Sequence, residues 1–191
     1  MATVILFNKP YGVHSQFRKD HDGMMTLMDY FDDKSLRVAG RLDKDSEGLL
    51  ILTDDGKLNH AITTPKADNV WGKTYLVQVE NTPTPEQLHA LRVGVHLKDG
   101  KTKPAIVSVP DELPISLWGR QPPIRVRQSV PTTWLSMTIF EGKNRQIRRM
   151  TAHVGLPCLR LIRHQVGRWE LGGLKSGEFV RLNVHRQRLK I

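Results

Sequence analysis

The pattern of apolar and polar positions predicts β-strands in four segments of the chain. Val4–Phe7 and Leu49–Leu52 are uninterrupted apolar runs, which is typical of strands that are buried on both faces. Lys73–Glu80 and Trp134–Phe140 alternate between apolar and polar residues, so every second side chain, Tyr75 among them, points to the same face. We therefore expect a sheet that contains both fully buried and half-buried strands.

Helix signals are fewer and lie between the predicted strands. Thr84–Gln87 combines an N-cap threonine, a proline at the first helical position and a glutamine three residues after the cap. A second helix is predicted between Asn144 as the N-cap and Gly155 as the stop, with Ile147 and Met150 on its buried face. Strands in the majority with a few separated helices indicate the α+β class.

The charge of the chain points to a polyanionic partner. The 191 residues have a formal net charge of +10 and a pI of about 10.0, which favours nucleic acid ahead of a membrane surface. The single cysteine, Cys158, cannot form an intramolecular disulfide, and we interpret it as a small buried apolar residue. No apolar run is long enough for a signal sequence or a membrane span. We expect a soluble, cytoplasmic protein, with a monomer as the default state.

The segment Gly40–Thr53 joins an acidic, polar turn to a buried strand, and a rigid strand is a good support for a reactive side chain. Three interpretations of this turn compete. Asp43 could be a catalytic carboxylate that acts as a nucleophile or base. The acidic residues also fall on several EF-hand calcium positions, although Lys44 and the strand-forming flanks oppose a metal site. The third interpretation is a solvated surface turn.

Several blocks of the sequence resemble the RsuA-type pseudouridine synthases. Gly40–Leu49 (GRLDKDSEGL) matches the family pattern G-R-L-D-x-D-S-x-G-L at every fixed position. The resemblance extends to Asn8–Gly12, to Lys73–Val77 and to Glu141–Met150 (EGKNRQIRRM). A closing block similar to the family's L-x-R-x-x-I-G has Val166 in place of the isoleucine.

The resemblance implies the pseudouridine synthase fold, with a mixed, mainly antiparallel sheet in two lobes, flanking helices and a central active-site cleft. We expect a single catalytic domain over residues 1–184 and a basic tail over residues 185–191, for which disorder is the expectation. Many relatives have an S4 RNA-binding domain before the first block, and this chain is expected to lack one. The catalytic body itself would then capture RNA.

The resemblance also assigns roles to individual residues. Asp43 would be the catalytic aspartate, Tyr75 would stack under the target base, and a basic residue would pair with Asp43. We assign that pairing to Arg148, with Arg149 and Arg145 as the alternatives, because a bidentate arginine would hold the carboxylate ionised and aimed. Other polar residues of the matching blocks are expected to bind RNA around the cleft: Arg41, Lys73, Lys143, Asn144, Arg145, Gln146 and Arg149.

The implied reaction isomerises one uridine of large-subunit (23S) ribosomal RNA to pseudouridine. It breaks a C–N glycosidic bond and forms a C–C bond between the same two partners, so no cofactor and no metal is expected. The sequence contains no Walker A loop, no G-x-G-x-x-G pattern and no Cys/His cluster. The alternative function is a non-catalytic, basic RNA-binding or ribosome-associated protein, which explains the charge but leaves Asp43 and Tyr75 without roles.

Overall fold

A mixed β-sheet is the centre of the fold in the computed structural model, which describes residues 1–64, 71–125 and 127–185. A single 3-10 turn, Leu27–Asp29, lies between the first two strands. In chain order the strands and α-helices of the described residues are β1 (Ala2–Lys9), β2 (Arg37–Val38), β3 (Glu47–Thr53), α1 (Gly56–Thr63), β4 (Lys73–Glu80), α2 (Pro85–Val93), β5 (His96–Leu97), β6 (Gly100–Lys101), β7 (Ile106–Ser108), β8 (Thr132–Ile139), α3 (Gln146–His153), β9 (Cys158–Val166), β10 (Trp169–Glu170) and β11 (Phe179–Val184).

The strand order of the main sheet is β11-β1-β3-β9-β4-β8-β7, with β2 added beside β3 and β10 beside β9. Strands β3 and β9 are parallel where Glu47–Gly48 lies opposite Ile162–Arg163. In the described part of the chain every other strand pair is antiparallel, including the small separate hairpin of β5 and β6. The predicted α+β class with a mixed, mainly antiparallel sheet is confirmed.

The parallel contact between β3 and β9 divides the sheet into two halves. Long antiparallel pairings hold β11, β1 and β3 together on one side, and β9, β4, β8 and β7 together on the other. Residues 39–46, which we call the acidic loop, connect β2 to β3. The loop enters the sheet at this junction, because β3 begins at Glu47, the first residue of the parallel contact. The sheet topology thus places the loop where the two halves meet.

Both faces of the central strands are buried, which explains the uninterrupted apolar runs in the sequence. Leu50 and Leu52 of β3 pack on the face that also receives α2 and α3, and Leu49 and Ile51 pack on the opposite face with α1. All seven residues of β3 are buried. The prediction of a buried strand over Leu49–Leu52 is confirmed, and burial of its four apolar side chains stabilises the sheet by roughly 1.5–3 kcal/mol each.

The predicted N-cap is confirmed for α2 and wrong for α3. Thr84 and Gln87 form the expected reciprocal capping box at the start of α2, with hydrogen bonds of 3.3 and 2.9 Å. The prediction of Asn144 as the N-cap of α3 is wrong, because the helix begins at Gln146 and its N-cap is Arg145. Arg145 adopts a left-handed backbone conformation, with φ 47° and ψ 35°, which turns the chain sharply into the helix.

Two further expectations concern the ends of the chain and membranes. The expected basic tail lies outside the described residues from position 186 onward. Among the residues that the structure describes, no helix is long and apolar enough to cross a membrane.

Candidate active site

Hydrogen bonds to the segment after β1, and one within the loop, fix the acidic loop between β2 and β3. The Ser15 Oγ donates to the Leu42 carbonyl at 2.7 Å and accepts from the Leu42 N–H at 3.1 Å. The Gly12 N–H donates to the Lys44 carbonyl at 2.7 Å, and the Ser46 N–H donates to the Asp43 carbonyl at 3.0 Å. Asp43 therefore lies at a turn whose backbone is held from both sides.

A fully buried arginine of β9 binds backbone carbonyls at the start of the acidic loop and in β3. Arg163 donates from Nη2 to the Gly40 carbonyl at 2.9 Å and from Nε to the Leu49 carbonyl at 2.8 Å. Gly48 has φ +98°, and a Cβ atom at this position would lie 2.3 Å from the Arg163 carbonyl oxygen. The glycine of the sequence motif is thus required by the close approach of β9 as well as by the backbone conformation.

A buried ion pair anchors the residue that follows the loop. Arg160 donates from Nε and Nη2 to both carboxylate oxygens of Glu47, at 2.9 and 2.8 Å. The indole N–H of Trp118 donates to the same carboxylate at 2.9 Å, and the Arg160 guanidinium lies over that indole ring. Glu47 and Arg160 are 1% and 5% exposed, so this pair is shielded from solvent and fixes the start of β3 against β9.

Arg145 connects the acidic loop to α3. Its Nη1 lies 3.5 Å from the Asp43 Oδ2, and its guanidinium makes a bidentate pair with Asp45 at 2.9 and 2.8 Å. Hydrogen bonds from Arg145, together with the nearby charge of Arg148, hold the pKa of Asp45 below its ordinary value. Asp45 thus positions Arg145, and Arg145 places one cationic nitrogen next to Asp43.

The arginine that contacts Asp43 is not the one assigned from the sequence. Arg148 donates from Nη2 to the Asp45 carbonyl at 2.7 Å and from Nη1 toward Cys158, so its guanidinium lies behind the loop. Arg148 is on the first turn of a helix that packs against β9, whereas Arg145 precedes the helix and its left-handed backbone turns toward the loop. The expected Arg148–Asp43 pairing is therefore corrected to Arg145, one of the two alternatives.

Two residues that are predicted to bind RNA contact the β5–β6 hairpin. Arg149 makes a bidentate pair with Asp99, at 2.8 and 3.0 Å. The Lys143 Nζ donates to three consecutive backbone carbonyls at 3.1–3.2 Å, those of Asp99, Gly100 and Lys101. These contacts tie the hairpin to the start of α3 at the rim of the site.

A cavity of about 350 Å³ lies beside Asp43. Residues from the acidic loop, β4, β8, β9 and the start of α3 line it, and Tyr75 is 8% exposed in its wall. The cavity brings together most of the residues singled out from the sequence: Arg41, Asp43, Lys73, Tyr75, Lys143, Asn144, Arg145 and Gln146. A second hollow of about 550 Å³ shares Arg41, Asp43 and Arg145 with the first.

Sequence reasoning gave no role to several residues that build the site. Arg163 lines the cavity, Arg160 and Glu47 anchor its loop, and the buried Ser46 hydroxyl lines the cavity without a hydrogen-bond partner in the described residues. A signal for the two arginines was present, because they alternate with apolar residues over Leu159–Arg163, and a charged residue in a buried strand needs a partner. Gln146 is also structural, since its amide bonds Glu141 at 2.6 Å and the Lys143 N–H at 3.0 Å.

The match to a protein family shows what kind of protein this chain is. The sequence model described as RNA pseudouridylate synthase matches residues 3–153, which include the acidic loop and the cavity strand β4. The chain belongs to the RNA pseudouridylate synthase family. It is therefore an RNA-modifying isomerase, and the interpretation as a synthase is favoured over that of a non-catalytic RNA-binding protein.

Named relatives of the synthase cover most of its length. "Ribosomal large subunit pseudouridine synthase E" of Vibrio parahaemolyticus is 52% identical over 181 residues, which is 95% of this chain and 74% of the relative. The protein of the same name in Xanthomonas axonopodis is 53% identical over 172 residues, or 90% of this chain and 89% of the relative. "Ribosomal large subunit pseudouridine synthase B" of Bacillus subtilis is 33% identical over 182 residues, or 94% and 68%.

Solved structures share the fold. A crystal structure of a pseudouridylate synthase superposes on the whole synthase with a TM-score of 0.77 at 28% identity, covering 73% of that chain. An H/ACA ribonucleoprotein bound to a substrate RNA containing 2′-deoxyuridine matches 88% of this chain and 48% of its own, with a TM-score of 0.57 and 15% identity. The second likeness supports the fold alone.

The geometry of the acidic loop argues against the calcium interpretation. Asp45 is directed to Arg145 and Glu47 to Arg160, on different sides of the loop, and Glu47 is buried. Strands flank the loop, where an EF-hand requires helices. In the described residues no group of three or more His, Cys, Asp or Glu side chains is arranged to hold a metal ion.

Cys158 lies behind the loop and not in the cavity. Burial raises the pKa of its thiol to about 11, so the reactive thiolate is rare at neutral pH. The side chain is a structural group beside Arg148.

Proposed function

We propose that this synthase isomerises a uridine of large-subunit ribosomal RNA and that Asp43 is the group that reacts. The observation that supports the assignment most strongly is the position of Asp43 in the wall of a cavity that also contains the Tyr75 ring, with Arg145 3.5 Å from its carboxylate. The choice of RNA rests on the names of relatives that are 51–53% identical over at least nine-tenths of this chain.

Asp43 could promote the isomerisation in two ways, as a nucleophile or as a base. Its carboxylate can attack C1′ as the C1′–N1 bond breaks, giving a covalent ester from which C5 of the uracil later displaces it. It can instead remove the C2′ proton and return it when C5 attacks C1′. In both routes the electron pair of the broken bond leaves with the uracil, and C5 loses a proton while N1 gains one.

Tyr75 gives the flipped nucleotide a place to bind. A uridine inside a helix is out of reach of Asp43, so it has to leave the stack and enter the cavity. Stacking of the uracil on the Tyr75 ring would offset that cost by about 1–3 kcal/mol. The cavity volume of about 350 Å³ is at the lower end of the range for small-molecule sites, which suits one nucleoside.

RNA binding is proposed for the cationic and polar residues around the mouth of the cavity. Arg41 is exposed and lines both hollows, so it is suited to hold a phosphate next to the flipped nucleotide. Lys143 and Arg149 would act mainly through the hairpin that they hold. Asn144 and Gln146 lie in the cavity wall and are proposed to shape it.

The test measures tritium release from ribosomal RNA labelled at uridine C5. The variant is Asp43→Asn, and the matched control is Asp32→Asn, which changes an exposed aspartate outside both hollows. We expect release with the unmodified protein and the control, and a rate lower by about 1,000-fold with Asp43→Asn. Undiminished release by Asp43→Asn would overturn the catalytic assignment.

Comparison of RNAs tests the substrate. Release is expected with large-subunit RNA and not with small-subunit RNA, and equal release from both would overturn the proposed target. Binding of RNA without release from any of them would favour the non-catalytic alternative. We also propose that the protein acts in the cytoplasm as a monomer, since residues of one chain line the whole cavity, and sedimentation at micromolar concentration tests the second point.

A further inference from the structure

Lys73 lies next to Tyr75 on the cavity face of β4. The two residues are two positions apart on a strand, so their side chains point to the same side about 7 Å apart along the strand. Both line the cavity, and Lys73 is 9% exposed. The side chain of Lys73 runs under the start of the acidic loop, because a Cβ atom at Gly40 would lie 4.0 Å from its Cε.

Three other cations in the cavity wall already have acceptors, and the remaining one, Arg41, is exposed. Arg145 binds Asp45, Lys143 binds hairpin carbonyls, and Arg163 donates to the Gly40 and Leu49 carbonyls. For the ammonium of Lys73, no carboxylate or carbonyl acceptor is found in the part of the chain that the structure describes. Its electrostatic neighbour is instead another cation, Arg163.

An ammonium that is buried beside a second cation without a counterion is costly, because both desolvation and repulsion oppose its charge. Burial, and then the charge of Arg163, lower the pKa of Lys73 to about 8. At neutral pH the cavity therefore holds a cation with an unused hydrogen-bonding capacity. An anionic or strongly polarised ligand atom would relieve this cost.

We propose that the Lys73 ammonium binds the uracil carbonyl oxygen that becomes negative as the glycosidic bond breaks. This inference rests on the proposed function. When the C1′–N1 bond breaks, N1 keeps the electron pair and the charge spreads to the uracil O2 and O4. A fixed donor at one of these oxygens stabilises the leaving base more than the neutral nucleoside, which is the requirement for catalysis.

A phosphate is the competing ligand for Lys73, and burial argues against it. RNA phosphates are strongly hydrated and stay near the surface, where the exposed Arg41 can reach them. Lys73 lies in the wall beside Tyr75, where the proposed stacking would place the base. A phosphate contact would strengthen binding of every RNA equally, whereas contact with the leaving base changes the rate of the chemical step.

The first test separates these two roles with Lys73→Met, which keeps the length of the side chain and removes its charge. Single-turnover rates at saturating RNA are expected to fall by about 100-fold, with the Kd for RNA changed by less than twofold. The matched control is Lys57→Met, an exposed lysine outside the cavity, which should match the unmodified protein. A higher Kd with an unchanged saturated rate would overturn the proposal in favour of phosphate binding.

A second test uses the pH profile and a conservative variant. The kcat/KM of the unmodified protein should fall as pH rises through about 8, because Lys73 then loses its proton. Lys73→Arg stays charged, so it should keep part of the activity and show no such fall near pH 8. A fall at the same pH in Lys73→Arg would overturn the assignment, even if Lys73→Met failed to fold.

The closing test changes the leaving base. RNA with 5-fluorouridine at the target has a more acidic base that needs less stabilisation, and its consumption is followed by chromatography of the nucleosides. The defect of Lys73→Met should shrink about tenfold or more on this RNA, and an equal defect on both RNAs would overturn the proposal. A different result would overturn the proposed function itself: no release of tritium from uridine by the unmodified protein.

Discussion

Replacing Arg160 with glutamine should cost far more stability than replacing an exposed arginine that is also part of an ion pair. Arg160 makes two hydrogen bonds of 2.8–2.9 Å to Glu47, and both side chains are at most 6% exposed. In Arg160→Gln, the buried Glu47 carboxylate would keep the Trp118 indole N–H as its other donor in the described structure. The charge of Glu47 would then lose its only hydrogen-bonded cation in the described residues.

The expected cost is about 3–5 kcal/mol of the free energy of unfolding, the usual effect of removing one partner of a buried ion pair. For a chain of this length, each kcal/mol corresponds to about 2–4 °C in Tm, so the melting temperature should fall by roughly 6–20 °C. Because Glu47 directly follows the acidic loop, the rate of tritium release should fall with it. The same cost is not expected at the surface, where ion pairs contribute up to about 1 kcal/mol.

The assay is urea unfolding at pH 7, with Arg181→Gln as the control. Arg181 lies 3.4 Å from Asp33, and these side chains are 48% and 30% exposed. Arg181→Gln should change the free energy of unfolding by less than about 1 kcal/mol. If Arg160→Gln cost no more than Arg181→Gln, the inference that the buried pair anchors the acidic loop would be refuted.

Three other predictions follow from the packing around the loop. Gly48→Ala should cost at least about 2 kcal/mol in urea unfolding, because φ is +98° and the new Cβ meets the Arg163 carbonyl oxygen; an unchanged midpoint would contradict this. Burial lowers the pKa of Lys9 from 10.5 to about 7, so between these pH values the unfolded chain binds more protons and stability should rise with pH, by up to roughly 5 kcal/mol. Lys9→Met should flatten that rise in urea unfolding at pH 6.5 and 9, and an equal slope would refute the assignment. Cys158 should react with iodoacetamide at pH 7.5 at least about 100-fold more slowly in the folded than in the urea-unfolded protein, and equal rates would contradict the raised pKa of its thiol.

The sequence predicted the features of the fold that depend on local patterns. The apolar run Leu49–Leu52 is a buried strand, and Thr84 caps α2 as expected, because strand burial and helix capping each involve residues close together in the chain. The acidic motif Gly40–Leu49 indicated where a site would lie, and its family membership is confirmed. The roles of Asp43 and Tyr75 within the site stay predictions.

The partners of the charged residues could not be predicted, because they come from segments far apart in the chain. The sequence offered three arginines near the start of α3 for Asp43 and favoured Arg148, but the left-handed backbone at Arg145 directs that one to the loop. Sequence propensity favoured Asn144 as the N-cap. A left-handed backbone at an arginine is costly, so no local sequence rule predicts one at Arg145. Tertiary contacts with Asp43 and Asp45 compensate for this cost.

By itself, then, the sequence determined the α+β class, the buried strand and the acidic loop, since hydrophobic periodicity and turn chemistry act over a few residues. Only the tertiary structure decided which arginine meets Asp43, that Glu47 pairs with Arg160 across 113 residues of sequence, and that Lys73 has no acceptor in the described residues. The physical reason is that a buried charge can pair only with a group that the fold brings within about 3 Å of it. The parallel contact of β3 and β9 brings Glu47 and Arg160 together in this way.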